Sequence, residues 1–353
     1  MNNPNYSPIF ETTRGDIVES LHYGAFAIVD VSGNLMAEFG DPNTVTYLRS
    51  SAKPFQALPF IESGGVEHFG LTSAEIALIC ASHSGTDKHV EIAHSIQQKA
   101  NLSESNLLCG VHPPFDKSTA EAMRKREDEP TPNRHNCSGK HSGMLAFAAM
   151  NHWTKNDYID SGHPVQKRIL NCLADLFDLS ADKIHIGIDG CSAPNFAAPL
   201  YNAALAYARL CDPSSLGTRR ANACRSITSA MTTNPEIVSG PGQFDTCLMN
   251  VGKGFILSKG GAEGYQCIGV MPGALNEDSP ALGIAIKISD GDLKDRARSP
   301  VSVEILHQLG VLNDSDLEPL LKFSPRSPIY NWRRLVVGYS QTAFNLHPEK
   351  NSH

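Results

Sequence analysis

Arg49-Ser50-Ser51-Ala52-Lys53-Pro54, with the apolar stretch Phe55 to Ile61 behind it, is the segment on which the reading turns. On a helical turn, positions i and i+3 share a face, so Ser50 Oγ and Lys53 Nζ come within hydrogen-bond reach. A buried lysine gives up its proton more readily than a solvated one and can then serve as base toward the hydroxyl. A lone Ser-x-x-Lys arises about once by chance in a chain of this length. Its weight depends on its company.

The 353 residues, 41% of them hydrophobic, supply a large core and suit one catalytic unit over residues 1–353, as a single domain or two closely packed lobes. A formal charge of −7 with dispersed basic residues excludes a nucleic-acid binder. The one tight basic cluster, Arg124-Lys125-Arg126, sits beside Glu121, Glu127 and Asp128 and reads as a solvated helix face. No stretch is apolar enough to span a bilayer, and the polar first residues lack a signal-peptide plan, so a cytoplasmic protein with no membrane partner is expected. Nine irregularly spaced cysteines suit free thiols in a reducing compartment.

Strand periodicity predicts a hairpin over Val18–Asp30 and Leu35–Phe39. Helices are predicted over 54–62, 88–99, 141–150, 164–177, 200–210 and 218–231. Thr72 to Glu75 resembles a capping box, but the apolar run behind it suits either a helix or a strand. Ile184–Ile188 reads as a short buried strand, and further strands are expected at 255–257, 267–270 and 282–288. Residues 339–353 read as a mobile tail. Strands at both ends with helices between them give an α/β (α+β) fold, a mixed or antiparallel sheet covered by helices.

Five further runs join reactive side chains to turn formers. Cys80-Ala-Ser82-His83-Ser84-Gly85-Thr86 puts a hydroxyl after an apolar run, where a helix cap serves equally well. Arg134-His135-Asn136-Cys137-Ser138-Gly139-Lys140-His141 is the densest, and Gly187-Ile188-Asp189-Gly190-Cys191 is a strand entering a tight turn. Cys137 and Cys191 can share a soft divalent ion with Lys140, His135, His141 or Asp189; unrelated loop thiols and a catalytic cysteine are the other readings. Pro235 to Asp245 offers glycine N–H groups to an anionic ligand. Ser258-Lys259-Gly260-Gly261-Ala262-Glu263-Gly264 brings a second amine followed by glycines that let a substrate lie close.

Ser-x-x-Lys with a later Lys-Thr-Gly-like element marks serine β-lactamases and penicillin-binding proteins. All six runs in this order, with Thr13-Arg14-Gly15 through Gly24 at the start, resemble the Rhizobium-type (class 3) L-asparaginases from about Arg14 to Gly338. The resemblance implies a β-lactamase- and glutaminase-like fold with a largely antiparallel sheet flanked by helices. It also implies two Ser–Lys tandems, Ser50 with Lys53 and Ser82 with Lys259, and a Zn2+ site made by Cys137, Lys140 and Cys191, with Asp189 nearby. Gly260 stands where the β-lactamase pattern carries a hydroxyl, so that hydroxyl's role is missing here.

The implied activity is hydrolysis of L-asparagine to L-aspartate and ammonia by a homodimer. Ser50 is the expected nucleophile, Ser82 and Lys259 the proton relay, Arg49, His83 and Asp189 the substrate-binding groups, and zinc an aid to substrate placement. The alternatives are a β-lactamase- or peptidase-like serine acyl hydrolase acting on another amide, and a zinc-stabilised binding module without turnover.

Overall fold

The computed structural model describes residues 5–346. Its strands are β1 (Ser7–Arg14), β2 (Ile17–Asp30), β3 (Leu35–Phe39), β4 (Val45–Tyr47), β5 (His185–Ile188), β6 (Pro194–Pro199), β7 (Ile256–Gly261), β8 (Tyr265–Val270), β9 (Leu282–Ile288), β10 (Arg326–Tyr330) and β11 (Val336–Thr342). The main sheet runs β10-β11-β1-β2-β9-β8-β7, with β3 on the inner half of β2. Every pairing in it is antiparallel. The expected mixed fold, a largely antiparallel sheet flanked by helices, is what forms.

Alternation along β2 separates two cores. Ala25, Ala27 and Val29 face one, and Phe26 and Ile28 face the other. The small side chains of the first set, with Ala285 of β9, admit the helix Leu200–Cys211 through Ala203, Ala204 and Tyr207. On the opposite face, Phe26, Ile284 and Ile286 pack with Val301, Ile305 and Leu306 of the helix Arg298–Gln308. Both faces are therefore covered, which explains the unbroken apolar run of β9.

The ambiguous run after Thr72 is a helix, Ser73–Ile79. Thr72 Oγ1 accepts from the Glu75 N–H while the Glu75 carboxylate accepts from Thr72 N at 2.6 Å. The helix Ser138–Met150 lies against it closely enough that a Cβ on Gly139 would sit 2.2 Å from the Leu78 carbonyl oxygen. Only glycine permits that approach, and it brings the segments around Ser82 and Asn136 together.

Two expectations are corrected. The strand at 184–188 is not buried: β5 is an edge of the small sheet β4-β6-β5, and Ile188 is 86% exposed. Its apolar content suggested burial, but the central strand β6 takes the core position. Residues 339–342 are not a tail, because they complete β11, which pairs with both β1 and β10. The remainder of the expected tail, 347–353, lies outside the described residues. Among the described residues no helix is long and apolar enough to cross a membrane.

Candidate active site

Lys53 opens the helix Lys53–Glu62, directly after the 3-10 turn Arg49–Ala52, with Pro54 in the first helical turn where its missing N–H costs nothing. Its amine is almost fully buried. The amine donates to Ala81 O at 2.6 Å, Ser82 Oγ at 2.8 Å and Asn136 O at 3.3 Å. Three acceptors match the donor complement of an ammonium group. The anticipated Ser50–Lys53 hydrogen bond does not form, because a buried amine turns toward the acceptors that the chain ends around Ala81 and Asn136 present. Ser50 is half-buried on the turn.

Lys259 reaches the same serine from β7, donating to Ser82 Oγ and to Gly260 O, both at 2.9 Å. Burial pushes its amine down to about 7; Asp245 works against the shift and Lys53 adds to it. The expected run 258–261 is a strand rather than a loop, and its glycines serve the protein's own backbone. A Cβ on Gly261 would meet Leu48 O at 2.6 Å, so β7 and the Ser50 turn touch directly. Ser51 Oγ donates to Lys259 O at 2.6 Å and locks that contact.

Sequence reasoning passed over Asp245, although it closes the Pro235–Asp245 run. Its buried carboxylate accepts from Ser258 Oγ at 2.7 Å, Gly260 N at 2.8 Å and Gln266 Nε2 at 3.0 Å. It thereby grips the strand on both sides of Lys259. Burial opposes its charge, but Lys259 and the Gly260 N–H outweigh it and hold the carboxyl below the usual range.

His83 is not brought to an open site. It is fully buried, with Nδ1 accepting from Gly85 N at 3.2 Å and Nε2 2.9 Å from Ser138 Oγ. Ser138 donates its own proton to Asn133 O, so His83 carries hydrogen on Nε2 and is neutral. Burial, foremost, keeps it far below its ordinary pKa. Nε2 pins the Ser82 loop to the helix at Ser138, and Nδ1 braces the loop internally at Gly85.

Arg49, the residue before Ser50, does face an open cleft of about 550 Å³. Its Nε donates to Asp189 Oδ1 at 2.9 Å, and its backbone holds the left-handed region at φ 51°. Non-glycine residues held there concentrate at functional sites. Burial works against the Asp189 charge, and Lys140 and Arg49 more than offset it, keeping the carboxyl below its usual range.

Cys137, Lys140 and Cys191 also converge. Lys140 Nζ lies 2.9 Å from Cys191 Sγ. Hydrogen bonding from Cys191 is the largest factor holding the Cys137 thiol well below its ordinary pKa. No group of three His, Cys, Asp or Glu side chains gathers as metal ligands among the described residues. Two soft sulfurs and one amine therefore fit a borderline-soft cation only with Lys140 as the third donor.

A serine approached by two buried lysine amines suits acyl transfer to a hydroxyl. Residues 10–342 match L-asparaginase II, and the chain belongs to that amidohydrolase family. No curated protein sequence matches the chain at significance. Among solved structures, Mglu in its glutamate form is similar over 85% of this chain and 61% of its own, at 12% identity and a TM-score of 0.40. Mglu in 4.3 M NaCl matches over 83% and 63%, at 13% identity and TM-score 0.41. A probable glutaminase of Bacillus subtilis matches over 76% and 82%, at 12% identity and TM-score 0.34. This chain spans about three fifths of the length of the two Mglu structures.

Proposed function

We propose that the protein hydrolyses the side-chain amide of L-asparagine to L-aspartate and ammonia by acyl transfer to serine. The observation that carries this reading is the double approach of Lys53 and Lys259 to Ser82 Oγ, one amine with a full set of acceptors and the other poised near neutrality. Lys53 hands a proton to Ser82, Ser82 passes its own to Lys259, and the freed Lys53 amine takes the proton of Ser50 once the Ser50 hydroxyl has rotated toward it. Ser50 Oγ then bonds to the amide carbon. The relay runs backward to protonate the leaving nitrogen, the C–N bond breaks, and ammonia departs. Water repeats the attack on the ester and releases aspartate.

A second reading makes Ser82 the acylated residue, since its hydroxyl alone contacts both amines. Cys137, Lys140 and Cys191 would hold a zinc ion, whose charge serves to orient substrate polar groups. The Lys140 amine would have to lose its proton to bind, as the cation itself favours. The enzyme is proposed to be a cytoplasmic homodimer; nine free cysteines agree with a reducing compartment, and the dimer rests on the family resemblance alone.

Ammonia release from asparagine by wild type, Ser50→Ala and Ser82→Ala tests the scheme, together with mass mapping of the acylated peptide. Cleavage of nitrocefin or a peptide without asparagine turnover would overturn it. An acyl group on Ser82 would select the second reading.

A further inference from the structure

The cleft that Arg49 faces carries three charged groups, Arg49, Glu263 and Lys287, and Asp189 pairs with the first of them, in an arrangement that the relay does not use. Arg49 stands between Asp189 at 2.9 Å and the Glu263 carboxylate at 3.8 Å. The first contact is a full hydrogen bond and the second is loose. Asn195 Oδ1 accepts from the Arg49 backbone N–H at 3.1 Å and fixes the strained residue in place. Glu263 itself holds φ 61°, and its side chain is 59% exposed. Lys287, mostly buried on β9, donates to the main-chain carbonyl of Glu263 rather than to a carboxylate.

With Arg49 compensated by Asp189, the cleft presents one loosely held carboxylate and one cation whose hydrogen bond goes to a carbonyl while its charge is balanced by Glu263 and Asp290. Glu263 and Lys287 both line the opening, together with Arg49 and with Asn195 of the small sheet. An opposed anion and cation in a cleft reached by Arg49, the residue before Ser50, match an amide substrate that is also a zwitterionic α-amino acid. A ligand ammonium replaces the weak Arg49–Glu263 contact, and a ligand carboxylate gains a charge-assisted partner in Lys287.

We infer that Glu263 receives the α-ammonium group and Lys287 the α-carboxylate of the substrate, making these two side chains the determinants that restrict the enzyme to free amino-acid amides. The inference rests on the asparagine reading for its substrate, but recognition can be measured apart from turnover. A site built on charged partners rejects an analogue lacking one group far more strongly than an apolar pocket does.

Calorimetric titration with L-aspartate, succinate (no ammonium) and β-alanine (no α-carboxylate) reads the two contacts separately. Wild type should bind aspartate at least about tenfold more tightly than either analogue, a ratio worth about 1.4 kcal/mol. Glu263→Gln should erase the preference over succinate and keep that over β-alanine; Lys287→Gln should do the reverse. Retention of the succinate ratio by Glu263→Gln, or a wild type blind to the ammonium, overturns the inference. Ammonia release is followed on the same samples. Discrimination without turnover of asparagine sinks the catalytic reading and leaves this one standing; turnover without discrimination does the opposite.

Discussion

Lys259 donates a 2.9 Å hydrogen bond to Ser82, a residue 177 positions earlier in the chain. Its amine is pushed down to about 7, chiefly by burial. The proposed relay requires Lys259 neutral, so kcat/KM should rise with pH through about 7 and then level. Lys259→Met should lower kcat/KM by about 10²–10⁴ and abolish the rise. Stability should rise with pH as well. The folded pKa lies below the unfolded value of about 10.4, so between about 7 and 10.4 the unfolded chain binds the extra proton and stability increases with pH. Lys259→Met removes that penalty and should raise Tm. A flat pH–rate profile around neutrality would refute the assignment.

Asp245 grips Ser258 and Gly260 on either side of that lysine, and its charge raises the Lys259 pKa. Asp245→Asn should therefore shift the acidic limb below 7, by about one pH unit or more. It also replaces charge-assisted bonds to three donors, at a cost of about 1.5–3 kcal/mol of stability. A pH profile and a melting curve on the same sample separate the two effects. A purely structural role predicts the lower Tm with the limb unmoved.

The local features of this fold were legible because they obey short-range rules. Thr72 and Glu75 form the capping box their spacing announces, and most helices lie within a residue or two of the periodicity. The Ser50 turn followed by a helix at Lys53 was readable for the same reason. What escaped was set by distant contacts. Ser-x-x-Lys spacing suggested that Lys53 would serve Ser50, but the acceptors at Ala81, Ser82 and Asn136 arrive from two other helix ends. Ile186 and Ile188 looked like core because edge position in a sheet has no signature in a five-residue window. Asp245 stood inside a run chosen for its glycines, and nothing local shows that its carboxylate faces β7. His83 was offered to substrate because the partner of its Nε2 is Ser138, 55 residues away.

Tyr207 ties the helix Leu200–Cys211 to the turn Arg49–Ala52 by donating to Ser51 O at 2.7 Å, with Phe55 packed edge-on at 5.3 Å. Tyr207→Phe keeps the ring and its packing but leaves a buried carbonyl without a partner. The expected cost is about 1–3 kcal/mol of stability. The turn carries Ser50, so displacement of it should also lower kcat/KM by about ten- to a hundredfold. Denaturant melts and steady-state kinetics check both. Normal stability with normal turnover would mean that the carbonyl finds another donor and the turn is held elsewhere.

The proposed zinc ion can be tested without presuming its part in the chemistry. Purified protein should contain about one zinc per chain, and Cys137→Ser or Cys191→Ser should lower metal affinity to the point of loss. The stripped protein should melt earlier, because Cys137, Lys140 and Cys191 then remain as a buried cluster of sulfurs around one amine with no ion to organise them. If the ion orients substrate, the cysteine variants should raise KM more than they lower kcat, since uniform binding rather than transition-state stabilisation is removed. Loss of kcat at unchanged KM in Cys191→Ala would put the ion, or the thiol pair itself, in the chemical step. Wild-type protein free of metal yet fully active would leave Lys140 as the permanent cationic partner of the two sulfurs, a role its 2.9 Å contact with Cys191 already suits.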